Sequence, residues 1–400
     1  MGNARDSKVG GAPRRAGVYV RQPEGYHAFI PVPLPPVPPL RVHDAEMLGL
    51  LVLAERNLGR LDGVAQILPN PDLFVAMYVR KEAVLSSQIE GTQASLEDVI
   101  EYEASEGQVR GGVGEVVNYV AAMNYGLERL GELPLSLRLI REIHARLTEG
   151  VRGGSREPGQ FRRSQNWIGP AGALLADASF VPPPPHQMTQ ALSDLERFIR
   201  EDRETPILIR SALVHAQFET IHPFLDGNGR IGRLLITFML CHAGVLSRPL
   251  LYLSYHFKRL RSEYYERLQA VRDTGDWEGW VRFFLDGVAA VATEAADTAA
   301  KIVAMQTEHR AAVQRSSKSQ TPLRLLDALY QRPVVWARAA MGMLDVSYRR
   351  ARRAIKVLEG LGLLSAVPGR RRDRRFIYRP YVDLLRKGTE PEPASSANTE

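Results

Sequence analysis

The stretch that decides the fold is residues 219–235, ETIHPFLDGNGRIGRLL, in which one apolar helix ends and another begins. The first helix is expected to end near Thr220. Gly227 and Gly229 can adopt backbone angles closed to other residues, so a tight loop is expected between the helices. The second helix begins near Gly229 and leads into Leu234–Ala243, which is apolar on nearly every face. That pattern indicates a buried central helix.

The loop in this stretch has the chemistry of a phosphate site. A glycine-rich loop that leads into a helix N-terminus directs several N–H groups at one point, which suits an anion. Arg230 and Arg233 share a helix face and add positive charge. Asp226 offers a hard oxygen of the kind that Mg²⁺ accepts beside water and phosphate. His222 is a side chain suited to accepting a proton at neutral pH. Together these residues predict an enzyme that transfers a group from a nucleotide to a hydroxyl.

Residues 222–233, HPFLDGNGRIGR, resemble the signature of Fic-domain proteins, His-Pro-Phe-x-Asp/Glu-Gly-Asn-Gly-Arg-x-x-Arg, at every defined position. The resemblance implies a helical core over roughly residues 115–290 and transfer of AMP from ATP to a protein hydroxyl. It makes His222 the base that deprotonates a target Ser, Thr or Tyr, and Asp226 the Mg²⁺ ligand. The nucleotide-binding residues that it implies here are Gly227, Asn228, Gly229, Arg230, Gly232 and Arg233.

An upstream segment, residues 86–91 (SSQIEG), resembles the inhibitory pattern of the same family, Ser/Thr-x-x-x-Glu-Gly/Asn, at the end of a predicted helix. Ser86, Glu90 and Gly91 are its defined positions. By this resemblance Glu90 pairs with Arg233 and removes the partner of the ATP γ-phosphate. The chain is therefore predicted to be an autoinhibited protein adenylyltransferase that acts on another protein or on itself.

Two further regions acquire a role from this resemblance. The loop Gln165–Val181 resembles a flap, a small β-hairpin that holds the target protein by strand-like pairing. Within it, Ser179 and Phe180 are predicted to cover the nucleotide. Tyr264 and Tyr265 occupy the place where related proteins put aromatic contacts to the adenosine. Ordinary packing is the alternative for these four residues.

The predicted fold is mainly α, with a Fic helical core, a small β-hairpin flap and a C-terminal winged helix-turn-helix domain. The proline-rich run PVPLPPVPP can only be polyproline II or extended chain. In chain order the predicted segments are a flexible tail and proline-rich strap (1–40), an N-terminal helical region with the inhibitory helix (41–110), the Fic catalytic core (111–305), a polar linker (306–320), the winged helix-turn-helix (321–388) and a tail (389–400).

The positive charge is concentrated near the C-terminus. The formal net charge of the 400 residues is +7, yet residues 347–388 alone hold 13 Lys/Arg against three acids. Such a segment favours salt-dependent contact with DNA phosphates through the winged helix. A solvated basic helix and a module that recruits a protein target are the alternatives. The basic side chains that share one face of the third helix of this domain are Arg349, Arg350, Arg352, Arg353 and Lys356.

The composition excludes several classes of protein. A single cysteine, Cys241, excludes a disulfide framework and a thiolate zinc site within one chain, and it fits a reducing compartment. No apolar run approaches 18 residues, so neither a membrane span nor a membrane partner is expected. The polar segment Met1–Gly17 does not have the pattern of a secretory signal. The layout resembles a bacterial subgroup of the family, and a cytoplasmic location is expected.

Three functions are open on this reading. The first is the autoinhibited adenylyltransferase, which uses ATP and Mg²⁺. The second is the reverse activity, hydrolysis of an AMP–protein bond, in which Glu90 aligns water. The sequence does not separate these two, because both require the same residues. The third is a DNA-binding regulator whose Fic core responds to nucleotide. Relatives often dimerise, so the resemblance is also compatible with a homodimer.

Overall fold

The structure is a computed structural model that describes residues 15–66, 71–104, 112–150, 157–169, 172, 174–367 and 374–391. These residues form fifteen α-helices and five short strands, so the mainly α prediction is confirmed. None of the helices in this described part has the length and apolar character of a membrane span. The helices are α1 (Ala45–Gln66), α2 (Pro71–Ile89), α3 (Leu96–Ala104), α4 (Val113–Leu130), α5 (Leu137–Leu147), α6 (Pro185–Glu201), α7 (Ile207–Ile221), α8 (Asn228–His242), α9 (Ser254–Arg259), α10 (Arg261–Thr274), α11 (Trp277–Ser316), α12 (Thr321–Leu329), α13 (Ala337–Leu344), α14 (Tyr348–Gly360) and α15 (Arg379–Arg386).

The chain divides into two compact units, each of which is discontinuous in sequence. Within the described residues, the first unit comprises 15–58, 121–150, 157–169, 172, 174–247 and 256–290, and the second comprises 59–66, 71–104, 112–120, 248–255, 291–367 and 374–391.

The centre of the first unit is α7, which is buried from Leu208 to Ile221 at every position except Arg210. Its neighbour α8 approaches very closely at Gly232. A Cβ atom there would lie 2.6 Å from Glu219 Oε1 and 3.2 Å from the His215 ring. Glycine is therefore needed at this position to let the two helices meet, and the meeting places the loop between them at one end of the core.

The first unit also contains a two-stranded hairpin where a flexible tail was predicted. Strands β1 (Gly17–Arg21) and β2 (His27–Pro31) pair antiparallel. Ala28 and Phe29 are buried, and the Phe29 N–H donates to the Val181 carbonyl at 2.9 Å. The burial of these two apolar residues, on opposite faces of β2, orders a segment that its composition alone suggested was flexible. Residues 1–14 of the predicted tail lie outside the described residues.

The predicted linker 306–320 is wrong over most of its length, because α11 continues to Ser316. Ile302, Gln306 and Val313 are all buried, and their spacing puts them on one helix face. The polar character of this segment belongs to the opposite, solvated face. The segment is therefore a helix with one buried face, whereas its polar sequence suggested a coil.

The C-terminal part of the second unit follows the predicted order of three helices and a hairpin. Ser347 Oγ caps α14 by accepting the Arg350 N–H at 3.4 Å. A three-stranded antiparallel sheet has the order β3 (Val334–Val335), β5 (Phe376–Tyr378), β4 (Leu364–Ala366). The turn predicted at 368–369 lies outside the described residues. The sequence had predicted neither β3 nor α15, and the winged-helix assignment stays a prediction.

Candidate active site

The predicted base, His222, lies directly after α7 in a left-handed backbone conformation, with φ 50° and ψ 59°. Its N–H donates to the Phe218 carbonyl at 2.9 Å, which closes the last helical turn. A residue with a side chain seldom adopts this conformation unless its surroundings hold it there. The side chain is 19% exposed, and its Nδ1 lies 4.0 Å from Glu219 Oε2. The backbone of His222 is thus held at the end of α7, while its imidazole is partly exposed to solvent.

Two side chains from the loop before α6 hold this strained residue. Arg162 Nε donates to the His222 carbonyl at 3.0 Å, and Asn166 Nδ2 donates to the same carbonyl at 3.3 Å. Arg162 is buried and donates further to the carbonyls of Pro183 at 2.5 Å and Ser164 at 3.2 Å. Burial lowers the pKa of Arg162 to about 10, so the side chain is still a cation at neutral pH. The sequence pattern contained no signal for Arg162 or Asn166.

The loop after His222 is closed from within by Phe224 and Asn228. The Phe224 N–H donates to Asn228 Oδ1 at 2.8 Å, and Asn228 Nδ2 donates to the Phe224 carbonyl at 2.8 Å. The Phe224 ring is fully buried and stacks on His144, with ring centroids 3.7 Å apart. The side chain of Asn228 therefore shapes the loop, which leaves its backbone N–H as the group available to an anion.

His144 also holds the loop in place and is a third residue that the sequence did not reveal. Its Nδ1 accepts the Gly159 N–H at 2.9 Å, so the ring proton lies on Nε2. Nε2 then donates to the Asp226 carbonyl at 3.0 Å. Burial lowers the pKa of His144 to about 4, with a smaller lowering from the charge of Arg230. The ring is therefore neutral at physiological pH and acts as a structural support.

This buried histidine predicts that the protein loses stability in acid. In the unfolded chain the group binds its proton near pH 6.5, whereas in the folded chain it does so only near pH 4. Stability is therefore fully present above pH 6.5 and falls as the pH is lowered toward 4, by up to about 3 kcal/mol for this group. Urea unfolding across this range should show a shallower pH dependence for His144→Phe than for the wild type. Equal slopes for the two proteins would contradict this role.

The glycine-rich loop leads from His222 into the N-terminus of α8. Gly227, with φ 80°, precedes the first turn of α8, whose leading N–H groups have no partner within the helix. Asp226 Oδ1 accepts the Gly227 N–H at 2.6 Å and lies 3.5 Å from Arg230 Nη2. Arg230 and Arg233 are both nearly fully buried. The predicted base, carboxylate, loop amides and arginines thus belong to one short segment with a defined geometry.

Four of the other predicted contacts are explained by packing or remain predictions. Gly232 is required by the approach of α7 and α8, so the predicted nucleotide contact there is not supported. Tyr264 is 1% exposed and hydrogen-bonds His215 at 2.8 Å, so it belongs to the core and not to an adenosine site. Tyr265 is 44% exposed, and its predicted role stays a prediction. Phe180 is buried, with the Arg272 guanidinium 3.9 Å from its ring centroid, which accounts for its position.

The predicted flap has little regular structure. Its described residues contain one isolated antiparallel bridge, between Ile168 and Phe180. The Ser179 N–H donates to the Ile168 carbonyl at 2.8 Å, and the side chain of Ser179 is exposed. The predicted β-hairpin is therefore not formed in the described residues of this loop, and the covering role of Ser179 stays a prediction.

The predicted inhibitory residues lie at the end of α2, in the second unit. Ser86 is fully buried, whereas Glu90 is exposed. Gly91 has φ 94°, a left-handed value that ends the helix and favours glycine. The predicted helix stop is confirmed, and the carboxylate is carried on the turn just after the helix.

Two family models match the chain. Residues 48–128 match the Fic/DOC family N-terminal model, and residues 134–240 match the Fic/DOC family model. The second match contains His222 and the whole glycine-rich loop. The first contains α2 and the turn that carries Glu90.

The chain is similar to curated proteins and to a solved structure. It is 30% identical over 180 residues to "Probable protein adenylyltransferase" of Aquifex aeolicus, covering 44% of this chain and 51% of that protein. It is 31% identical over 175 residues to "Protein adenylyltransferase Fic" of Drosophila grimshawi, covering 43% and 32% respectively. The chain thus spans about half the length of the first relative and about a third of the second. A crystal structure of a Fic family protein from Desulfovibrio desulfuricans superposes with a TM-score of 0.54 at 20% identity, covering 84% of this chain and 96% of that one, which supports the fold alone.

Proposed function

We propose that this chain, whose residues 134–240 match the Fic/DOC family model, is a protein adenylyltransferase that transfers AMP from ATP to a protein hydroxyl. The observation that carries the proposal is that His222, at the end of α7, and the N-terminus of α8 belong to one short loop. A base and an anion site in one rigid loop can serve both partners of a phosphoryl-group transfer. The names of the curated relatives agree with this activity.

The proposed reaction follows from this geometry. The hydroxyl oxygen of the target attacks the α-phosphorus of ATP, and its proton passes to the imidazole of His222. The bond from the α-phosphorus to the bridging oxygen breaks, and that oxygen leaves with pyrophosphate. The first N–H groups of α8, with Arg230 and Arg233, offset the negative charge of the phosphates. Positioning and charge neutralisation supply most of the acceleration in such a transfer.

The residues present fit a magnesium ion that is held jointly with the nucleotide. Asp226 is 37% exposed, and its Oδ1 is already held by the Gly227 N–H. Among the described residues, no group of three or more His, Cys, Asp or Glu side chains could hold a metal by itself. One carboxylate beside phosphate oxygens and water is a usual setting for Mg²⁺. Such an ion would neutralise phosphate charge, and Asp226 would be its protein ligand.

We further propose that Glu90 inhibits this activity by pairing with Arg233, which would otherwise contact the ATP γ-phosphate. The SSQIEG motif and the position of Glu90 on the turn just after α2 support the proposal. A carboxylate that competes for this guanidinium would let ATP bind with its α-phosphate turned away from the attacking hydroxyl.

Glu90→Gly is expected to raise AMP transfer by about tenfold or more, because loss of one charged competitor is worth at least about 1.4 kcal/mol. The measurement is labelling of the protein itself and of a lysate by ATP carrying a radioactive α-phosphate, with mass spectrometry to find the AMP adduct. Glu24→Gly, in the exposed turn between β1 and β2, is the matched control and should label like the wild type. Equal labelling by the Glu90→Gly variant and the wild type would exclude autoinhibition through Glu90.

A further inference from the structure

We infer that residues 387–391, here called the C-terminal latch, hold the turn that carries Glu90 and thereby control inhibition. The inference rests on the proposed function, and it adds the element that regulates the inhibitory residue. The turn and the latch both belong to the second unit. They lie about 300 residues apart in sequence and are joined by a direct hydrogen bond.

The turn itself is built from backbone hydrogen bonds around Ser87. The Ser87 carbonyl accepts the N–H groups of Glu90 and Thr92, each at 3.1 Å. The Gly91 N–H donates to the Gln88 carbonyl at 3.0 Å. Because these bonds involve few residues, contacts from outside the turn also help to set its position.

Gln88 provides that external hold. Its side chain is 6% exposed, and both hydrogens of its amide are used. Nε2 donates to the Ala94 carbonyl at 2.9 Å, which closes the turn, and to the Thr389 carbonyl at 2.8 Å, which ties it to the latch. Gln88 is therefore a positioning residue two places before the inhibitory carboxylate.

The latch is anchored where the sequence predicted a tail. Thr389 is 2% exposed, and its N–H donates to the Arg386 carbonyl at 2.8 Å. Lys387 Nζ lies 3.8 Å from Glu294 Oε1. The predicted tail is thus wrong for Thr389, which is buried, whereas Glu390 and Pro391 are exposed.

Gly388 is the latch residue that packs against Tyr255 of the second unit. It has φ 82°, and a Cβ atom there would lie only 2.2 Å from Tyr255 Cε2. The Tyr255 ring centroid in turn lies 5.5 Å from Lys81 Nζ of α2. A side chain at position 388 would therefore displace the latch from its contact with Tyr255, without contacting the turn or the glycine-rich loop.

The latch continues from α15, so the C-terminal helices and the turn are mechanically linked. Arg379 Nη1 contacts Glu97 Oε1 of α3 at 2.9 Å, and the Tyr330 ring stacks on Phe74 of α2 at 6.3 Å. If a partner binds the C-terminal helices and moves α15, the latch should move with it, because the latch directly follows α15 in the chain. Displacement of the latch would loosen Gln88 and release the Glu90 carboxylate from its inhibitory direction.

Gly388→Ala in the full-length chain tests the inference, with Gly360→Ala as the matched control. A Cβ atom at position 360 meets nothing within 4 Å. Loss of one hydrogen-bonded anchor predicts that Gly388→Ala raises AMP transfer by about three- to tenfold, whereas Gly360→Ala leaves it unchanged. In the Glu90→Gly background, Gly388→Ala should add nothing, because the inhibitory carboxylate is already absent.

Hydrogen exchange separates the latch from the proposed activity. Amides of the 86–96 segment should exchange faster in Gly388→Ala than in Gly360→Ala, and Gln88→Leu should reproduce the increase if the first variant folds poorly. Unchanged exchange in both variants would overturn the latch whatever the transfer assay shows. Faster exchange together with an inactive Glu90→Gly variant would support the latch and overturn the adenylyltransferase assignment instead.

Discussion

His222→Ala, made in the Glu90→Gly background, is expected to lower AMP transfer by about 10²–10⁴-fold. The physical reason is the loss of the group that accepts the proton of the attacking hydroxyl, while the helix end that binds phosphate stays in place. The Glu90→Gly background supplies a signal large enough to measure such a loss. Rates should be read from the initial slope of label incorporation at saturating ATP.

His186→Ala is the matched control for this experiment, because His186 is an exposed histidine on α6. It should retain the rate of the parent. ATP binding by the His222→Ala variant should also be retained, since the loop amides and Arg230 are unchanged. A His222→Ala variant that transfers AMP at the parent rate would show that another group accepts the proton, and the proposed reaction would be wrong.

Arg162→Met is expected to give the second large effect, on both stability and transfer. The substitution keeps much of the length of the side chain but removes the Arg162 donors to the carbonyls of His222, Pro183 and Ser164. The His222 carbonyl keeps only the bond from Asn166 Nδ2 at 3.3 Å. A buried carbonyl that loses its donor costs about 1–3 kcal/mol, so the loss at Pro183 and Ser164 should total about 3 kcal/mol. Transfer should fall as well, because the strained backbone of His222 loses its principal support.

The neighbouring exposed residue provides the control, since Arg163→Met removes the same charge one position away. Melting temperature, followed by circular dichroism, should drop by several degrees for Arg162→Met and stay unchanged for Arg163→Met. Arg162→Lys retains the charge without the planar fork of donors, so it should recover only part of the loss. If Arg162→Met melts like the wild type, the carbonyl network does not stabilise the loop.

Most of the helices and the centre of the site could be predicted because the determining interactions are local. The cap of α3 illustrates this: the Ser95 and Asp98 side chains bond each other and the Ser95 and Asp98 backbone N–H groups within four residues. The base, carboxylate and glycines of residues 222–233 likewise lie in one short run. Their spacing along the chain is enough to indicate which groups will converge.

Sequence patterns failed where burial decided the outcome. The segment after Gln306 is polar enough to suggest a linker, yet one stripe of α11 is buried there and the helix continues. The sequence predicted that Tyr264 contacts the adenosine, but Tyr264 is buried in the core beside His215. In both cases the property that mattered was which neighbours cover a side chain, and neighbours distant in sequence leave no local signal.

The sequence by itself indicated the resemblance to the Fic family, the helical class and the predicted chemistry of the loop at 222–233, because each depends on residues that are close together in the chain. Only the tertiary structure revealed the supports of that loop. Arg162 and His144 reach it from 60 and 82 residues away, and Gln88 meets Thr389 across 301 residues. Such contacts form only when the packed core brings separate segments within hydrogen-bonding distance, and no spacing in the sequence encodes that distance.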